Sequence, residues 1–207
     1  MSDSSIEFAS LLCSRLCHDL LSPVGAMNNG LELLADEEDP DMRARVMELL
    51  ADSARASSDR LKFFRLAFGS GGGFGEELDA NEVRAAVEGL VRSNARISLG
   101  WLVETPTIPK TGAKILLNLA MIAFDALVRG GRLDVGFENG EVVVRAEGTR
   151  IVLDAEVRSV LAAGQGGVSS RTSAAWLTRK LAEGAGGRIT LADGEEGVLL
   201  LASTLPV

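Results

Sequence analysis

The sequence lacks any apolar run long enough to cross a membrane. Its longest apolar stretch, Ile115 to Val128, is interrupted by Asn118 and Asp125 and falls short of the roughly 18 residues that a span requires. The first residues, MSDSSIEFASLL, place acidic side chains ahead of the apolar run, so the basic-then-apolar order of a secretory signal is missing too. These absences predict a cytoplasmic chain without a membrane partner.

Cysteines and basic side chains are also scarce. The two cysteines, Cys13 and Cys17, lie one helical turn apart and cannot form a disulfide without distorting a helix, so we expect reduced thiols. Together with His18 their spacing matches neither a zinc site nor a haem attachment, and we interpret them as small buried apolar residues. The 21 Lys and Arg against 29 Asp and Glu give a net charge of -8, which opposes nucleic-acid binding and favours proteins or small molecules as partners.

What the sequence does contain begins with two long amphipathic helices. Apolar residues recur every three or four positions from Asp3 to about Glu37, and a second such stretch opens at Pro40 and ends at the glycine-rich Gly69–Gly75. This pattern predicts an antiparallel helical hairpin. Because an isolated hairpin buries only one face of each helix, we expect two identical chains to pair as a homodimer with a four-helix bundle.

Beyond the glycine-rich stretch, which we interpret as a linker, the pattern changes to shorter elements. Helices are predicted over Asp79–Asn94, Thr111–Arg129 and Arg171–Gly184. Strands are predicted over Ile97–Val103, Arg132–Glu138, Glu141–Ala146, Arg188–Ala192 and Gly197–Leu205. The fold class is therefore α+β with two domains: residues 1–70 form the hairpin, and residues 76–207 form an α/β sandwich with a mixed sheet covered by helices on one face. The stretch from Asp154 to Ser170 has little pattern and is expected to be mobile.

The chain contains a single histidine, His18, within the first predicted helix. It lies roughly 200° around the helix axis from the apolar stripe and is expected to face outward. An outward histidine on a helix is more often incidental than reactive, so its neighbours decide its interpretation. Pro23 falls in the helix interior, where proline costs about 3 kcal/mol, and this favours a functional reason for the segment. The outward strip also carries Arg15, Ser22, Gly25 and Asn29.

The string CHDLLSPVGAMNNGLELL, with His18 followed at once by Asp19 and five positions on by Pro23, resembles the phosphoacceptor helix of two-component signalling proteins. The whole chain resembles the ChpT type of histidine phosphotransferase, in which a hairpin precedes a degenerate Bergerat-type domain like the ATP-binding domain of histidine kinases. The resemblance implies that His18 is the phosphoacceptor, that Asp19 orients its ring and that Arg15 complements the phosphate charge. It gives Ser22 a secondary role in dephosphorylating a receiver.

The nucleotide-binding motifs of histidine kinases are altered here. The kinase motif Asn-Leu-x-x-Asn-Ala corresponds to 118–123, and Ile122 replaces the asparagine that holds magnesium. Ala146 replaces the aspartate that accepts a hydrogen bond from adenine. The glycines that approach the phosphates are replaced by Ser170, Thr172 and Ala174. We therefore expect that the chain binds neither ATP nor a metal of its own, and that the partner receiver supplies Mg²⁺.

The predicted function is relay of a phosphoryl group between receiver aspartates through a phosphohistidine at His18, in cell cycle regulation. The resemblance implies a hybrid histidine kinase receiver of the CckA type as donor, and response regulators of the CtrA and CpdR types as acceptors. Two alternatives stay open. The chain could be an ATP-dependent histidine kinase, against which the altered motifs count. It could also be a non-catalytic dimeric scaffold. Asn118 could also be an ordinary polar helix residue whose match to the kinase motif is an accident of apolar spacing.

Overall fold

The computed structural model describes residues 3–69, 76–194 and 197–206. The predicted linker lies outside the described residues apart from Gly69. The helices are α1 (Asp3–Asp36), α2 (Pro40–Ala67), α3 (Ala80–Arg92), α4 (Lys110–Ala126), α5 (Ala155–Ala163) and α6 (Ser173–Gly184). The strands are β1 (Glu77–Asp79), β2 (Ile97–Trp101), β3 (Thr107–Pro109), β4 (Gly131–Glu138), β5 (Glu141–Glu147), β6 (Arg188–Asp193) and β7 (Val198–Thr204).

Helices α1 and α2 form the predicted hairpin. α1 continues through Pro23, and α2 begins where the Asp39 carboxylate accepts a hydrogen bond from the backbone N–H of Asp41 at 2.9 Å. Pro40 occupies the first turn of α2, where a missing N–H costs nothing. The two helices approach closely at Gly30, because a Cβ there would meet the Leu50 side chain at 2.9 Å. The prediction of two long helices is confirmed.

The second part of the chain folds as a five-stranded mixed sheet with helices on one face. The strand order is β2-β4-β5-β7-β6, in which β2 runs parallel to β4 and the other pairs are antiparallel. Alternate residues of the central strands are buried under the helices, as in Leu133, Val144 and Leu201. The short strands β1 and β3 form a separate two-stranded antiparallel sheet. The predicted α+β fold is confirmed.

The hairpin is not a free arm, because its base belongs to the same hydrophobic core as the α/β part. Phe63, Phe64 and Leu66 near the end of α2 are buried in that core. The hairpin also contacts the α/β part near the start of α1, where the Phe8 ring lies against Trp176 of α6 with ring centroids 4.4 Å apart. These contacts fix where α1 stands relative to the α/β part, and so they fix what surrounds His18.

Several predictions of the helices and strands need correction. The stretch expected to be mobile contains α5, whose signals are the N-cap Asp154 and the C-cap Gly164 with φ of 64°. The helix predicted to end at Arg129 ends at Ala126. Strands β1 and β3, of three residues each, carry too little pattern to be predicted.

Within the described ranges, no helix combines the length with the apolar content that crossing a membrane requires.

Candidate functional site

His18 stands on α1 with 85% of its side chain exposed. Its Nδ1 atom lies 3.2 Å from Oδ1 of Asp19, the next residue. In the tautomer with the proton on Nδ1, the ring donates this hydrogen bond and the Nε2 lone pair faces solvent. The ring is therefore oriented by a carboxylate and open to attack an incoming group. Its outward position agrees with the sequence prediction.

Asp19 is held among arginines. Only 15% of its side chain is exposed, and its Oδ2 atom lies 3.5 Å from Nη1 of Arg60 and 3.8 Å from Nε of Arg15. Arg60 comes from α2, so this contact crosses the hairpin at the height of His18. One carboxylate oxygen thus faces the imidazole while the other faces guanidinium groups, which limits how far Asp19 can turn away from the ring.

Arg15 joins the hairpin to the α/β part. Its Nη2 atom donates to Oδ2 of Asp125 on α4 at 2.8 Å. Desolvation by the surrounding protein raises the pKa of the Asp125 carboxyl, and the nearby Arg15 opposes this shift. Even so, 51% of the Asp125 side chain is exposed. Because that surface remains open to solvent, we rank the ion pair with exposed pairs, which contribute up to about 1 kcal/mol. The prediction that Arg15 lies on an exposed outward strip is wrong, because only 16% of its side chain is exposed.

A cavity of about 450 Å³ opens beside His18, between α1 and the α/β part. Its walls combine both parts of the chain and hold three arginines and two aspartates. The lining residues are Ser14, Arg15, His18, Asp19, Arg60, Asp125, Ser170 and Arg171. This composition, with cations next to an exposed imidazole, suits a negatively charged group carried on His18.

Ser22 lies outside this cavity. It is exposed one turn after His18 and lines a neighbouring cleft of about 560 Å³, which Asp19 and Arg60 also line. The cleft runs between the hairpin and α3. The structure therefore brings Arg15, His18 and Asp19 together and sets Ser22 on the other side of Asp19.

The histidine phosphotransferase C-terminal domain family matches residues 80–197, more than half of the chain. The chain belongs to this family. It is also 40% identical, over 142 residues, to the protein phosphotransferase ChpT of Brucella abortus strain 2308. That match covers 67% of this chain and 64% of the relative, so it spans less than two thirds of the relative's length.

One solved structure supports the same assignment of the fold. A bacterial phosphotransferase, solved at 1.7 Å, superposes with a TM-score of 0.84 at 31% identity and covers 98% of each chain. A blue-light histidine kinase domain from Erythrobacter litoralis superposes with a TM-score of only 0.47 at 12% identity, covering 88% of this chain and 95% of that one. The first of these includes the hairpin and the α/β part together.

Most positions of the altered nucleotide motifs are buried in this histidine phosphotransferase family member, whereas Ser170 is exposed. Ile122 and Ala146 are buried in the hydrophobic core, where neither offers an oxygen to magnesium or adenine. Asn118 is fully buried, and its Nδ2 donates to the backbone oxygens of Ala67 at 3.2 Å and Lys114 at 2.8 Å. Asn118 thus ties the end of α2 to α4, while its Oδ1 atom is buried without a hydrogen-bond partner among the described residues.

The interpretation of the two cysteines near His18 as buried apolar residues is wrong. Cys13 and Cys17 are both exposed and unpaired, because they lie on the solvent side of α1 near His18. Among the described residues, no three His, Cys, Asp or Glu side chains come together as metal ligands.

Sequence reasoning missed Arg60, Asp125 and Arg171 as site residues. Asp125 carried a signal, since it is a charged residue inside the apolar run of α4. Arg60 lies in the α2 segment that the hairpin register places opposite His18. Arg171 carried no signal of its own, because only the packing of the α/β part against α1 brings it to the cavity.

Proposed function

We propose that this chain is a phosphorelay intermediate in two-component signalling. His18 accepts a phosphoryl group from an aspartyl phosphate on one receiver domain and passes it to the aspartate of another. The observation that carries the proposal is an exposed imidazole whose Nδ1 is held by Asp19, beside a cavity with three arginines. The ChpT relative and the solved phosphotransferase support it.

The geometry suits direct transfer. With the proton on Nδ1, the Nε2 lone pair attacks phosphorus while the bond from phosphorus to the receiver's carboxylate oxygen breaks and its electrons return to that carboxylate. The product ring keeps its Nδ1 proton and carries a positive charge, which the Asp19 carboxylate stabilises at 3.2 Å. Return to a second receiver reverses these steps. Arg15, whose Nε lies 3.8 Å from Oδ2 of Asp19, complements the negative charge of the phosphoryl group.

The partners are proposed from the family resemblance. The donor is the receiver of a hybrid histidine kinase of the CckA type, and the acceptors are response regulators of the CtrA and CpdR types. By the family resemblance, Mg²⁺ would be held in the acidic pocket of the receiver domain, where it would supply charge stabilisation for the phosphoryl oxygens. We propose that Ser22, in the neighbouring cleft, contributes at most to dephosphorylating a bound receiver.

We propose that the chain does not use ATP. The residues at the kinase motif positions support this, because Ile122 and Ala146 are apolar and buried in the core, so neither can ligate magnesium or accept a hydrogen bond from adenine. Phosphoryl transfer from ATP depends on a positioned metal and donors, which these side chains do not supply. These residues therefore count against the kinase alternative.

We also propose that the active form is a homodimer. Large apolar side chains stay exposed along the hairpin, and they include Leu21, Val24, Leu31, Met47, Leu49 and Leu61. Val24 and Leu31 belong to the stripe that the sequence pattern marks for burial. A mostly apolar groove of about 440 Å³ also lies between α1 and α2, lined by Met27, Ala54 and Leu61 among others. A second hairpin would cover these surfaces in a four-helix bundle.

The dimer makes a direct prediction about Leu61, whose side chain is 50% exposed. Leu61→Glu places a charge in the proposed bundle core and should convert the dimer into a monomer in light scattering after gel filtration. Leu102→Glu is the matched control, since Leu102 is 62% exposed on the α/β part and should leave the dimer intact. A monomeric wild-type protein, or equal dissociation by both variants, would contradict the dimer.

Cytoplasmic action is part of the proposal. Two exposed, unpaired cysteines near the phosphoacceptor support it, because reduced thiols persist in the reducing cytoplasm and not outside it.

The experiment that tests the proposed function mixes the purified protein with a panel of receiver domains that carry a radiolabelled aspartyl phosphate. Label should move to this chain from at least one receiver and then on to a second receiver, with no nucleotide present. If no receiver in the panel labels the chain, the relay is wrong.

A further inference from the structure

The three arginines of the cavity beside His18 differ in how they are held. Arg15 and Arg60 pair with Asp125 and Asp19, which line the same cavity. Arg171 pairs instead with Asp154, whose side chain is not among those lining the cavity. Three guanidinium groups therefore face the cavity against two carboxylates, and the unmatched positive charge is that of Arg171.

The tie between Arg171 and Asp154 is loose. The two groups are 3.2 Å apart, and 69% of the Arg171 side chain is exposed, so the pair belongs with surface ion pairs that contribute little. Asp154 is also the N-cap of α5. Its Oδ1 accepts hydrogen bonds from the backbone N–H of Glu156 at 2.9 Å and of Val157 at 3.3 Å. Those backbone groups, more than Arg171, lower the pKa of Asp154.

Arg171 also comes from the other side of the cavity. Arg15 belongs to the hairpin with His18, whereas Arg171 lies in the segment between α5 and α6 of the α/β part. A phosphoryl group on Nε2 of His18 would stand between these two walls. A phosphoryl group carries nearly two negative charges and three acceptor oxygens, whereas a carboxylate carries one charge and two oxygens, so Arg171 would exchange its partner when the phosphoryl group arrives.

We propose that Arg171 donates hydrogen bonds to the phosphoryl group on His18, so that the α/β part of the same chain supplies a phosphate-binding residue to the hairpin. This inference rests on the proposed phosphotransfer function. It gives the segment before α6, where a kinase would carry its nucleotide lid, a role in holding phosphate without nucleotide. Arg171 acts during both acceptance and return of the phosphoryl group, because it contacts the group that moves.

The test compares Arg171→Ala with Asp154→Asn in the full-length protein. The probe is a receiver domain carrying a radiolabelled aspartyl phosphate, and the measurement is the rate at which label appears on the chain. Arg171→Ala should slow labelling about tenfold, the value of one charge-assisted hydrogen bond. Asp154→Asn keeps an N-cap side chain and frees Arg171, so it should leave the rate within about twofold of wild type or raise it.

The two variants separate phosphate binding from a structural role, since both break the same ion pair. If Arg171→Ala is no slower than Asp154→Asn, Arg171 does not bind the phosphoryl group. Arg171→Lys keeps the charge and should recover part of the rate, and it stands in if the alanine variant fails to fold in thermal unfolding. A wild-type chain that takes no label refutes the proposed function itself, whereas a labelled wild type with an equally fast Arg171→Ala refutes this inference alone.

Discussion

Replacement of His18 by glutamine is expected to abolish acceptance of a phosphoryl group from a receiver domain, with a loss of at least about a thousandfold. Glutamine has no ring nitrogen with a free lone pair, and its amide is a poor nucleophile. The fold should be unaffected, because the His18 side chain is exposed and its described contact is the hydrogen bond to Asp19. Stopped-time radiolabel transfer measures the rate.

Asn29→Ala is the control for this substitution. Asn29 is also an exposed polar residue of the outward strip of α1, but it lies three turns away from His18 and outside the cavity. It should leave the transfer rate unchanged. If His18→Gln retains transfer, or if Asn29→Ala loses it to the same degree, His18 is not the phosphoacceptor.

Asp19→Asn is expected to give the second largest effect, a decrease of about a hundredfold in the transfer rate. The neutral amide cannot stabilise the positive ring that forms on phosphorylation. It can also turn its NH₂ group toward Nδ1, which favours the tautomer with the proton on the attacking nitrogen. Arg15 and Arg60 would then face each other without the carboxylate between them. Single-turnover rates over a range of pH measure the change.

The chain offers a matched control for Asp19 in Asp59. Both aspartates are 15% exposed, and both pair with an arginine across helices, Asp59 with Arg92 of α3. Asp59→Asn should therefore lose similar stability in thermal unfolding while its transfer rate stays within about twofold of wild type. Equal rate losses in the two variants would mean that Asp19 acts only by holding the fold.

The long helices and the proximity of His18 to Asp19 could be predicted from the sequence because each depends on neighbours along the chain. Periodic apolar residues mark α1 and α2, and His18, Asp19 and Pro23 lie within six positions. The prediction that Cys13 is buried was wrong. Spacing along a helix shows which residues share a face but not whether that face is covered. Helix α5 was missed although Asp154 and Gly164 bracket it with suitable caps.

The rest of the site could not be predicted, because it depends on how two parts of the chain pack. Arg60, Asp125 and Arg171 are 42, 107 and 153 positions beyond His18, and only the shared core brings them to one cavity. That core is assembled from the base of α2 and the helices of the α/β part. A pattern of apolar residues indicates that such a core exists but not which polar residues meet at its edge.

The packing between the hairpin and the α/β part also involves residues of the altered kinase motif. Asn118, which in the kinase motif belongs to the nucleotide site, here donates to the last turn of α2 and helps fix the hairpin. Ile122 fills the core beneath it. Asn118 and Ile122 therefore contribute to the packing that holds α2, and with it the hairpin that bears His18, against the α/β part.

The most direct test of a nucleotide-free relay through His18 compares two phosphoryl donors and locates the modified residue. The full-length protein is incubated either with a receiver domain carrying an aspartyl phosphate or with Mg²⁺ and ATP, and the phosphorylated residue is located by tandem mass spectrometry at neutral pH. The account predicts phosphohistidine at His18 with the receiver and no phosphorylation with ATP. Phosphorylation of His18 by ATP alone, or a receiver-derived phosphoryl group on any other residue, would contradict it.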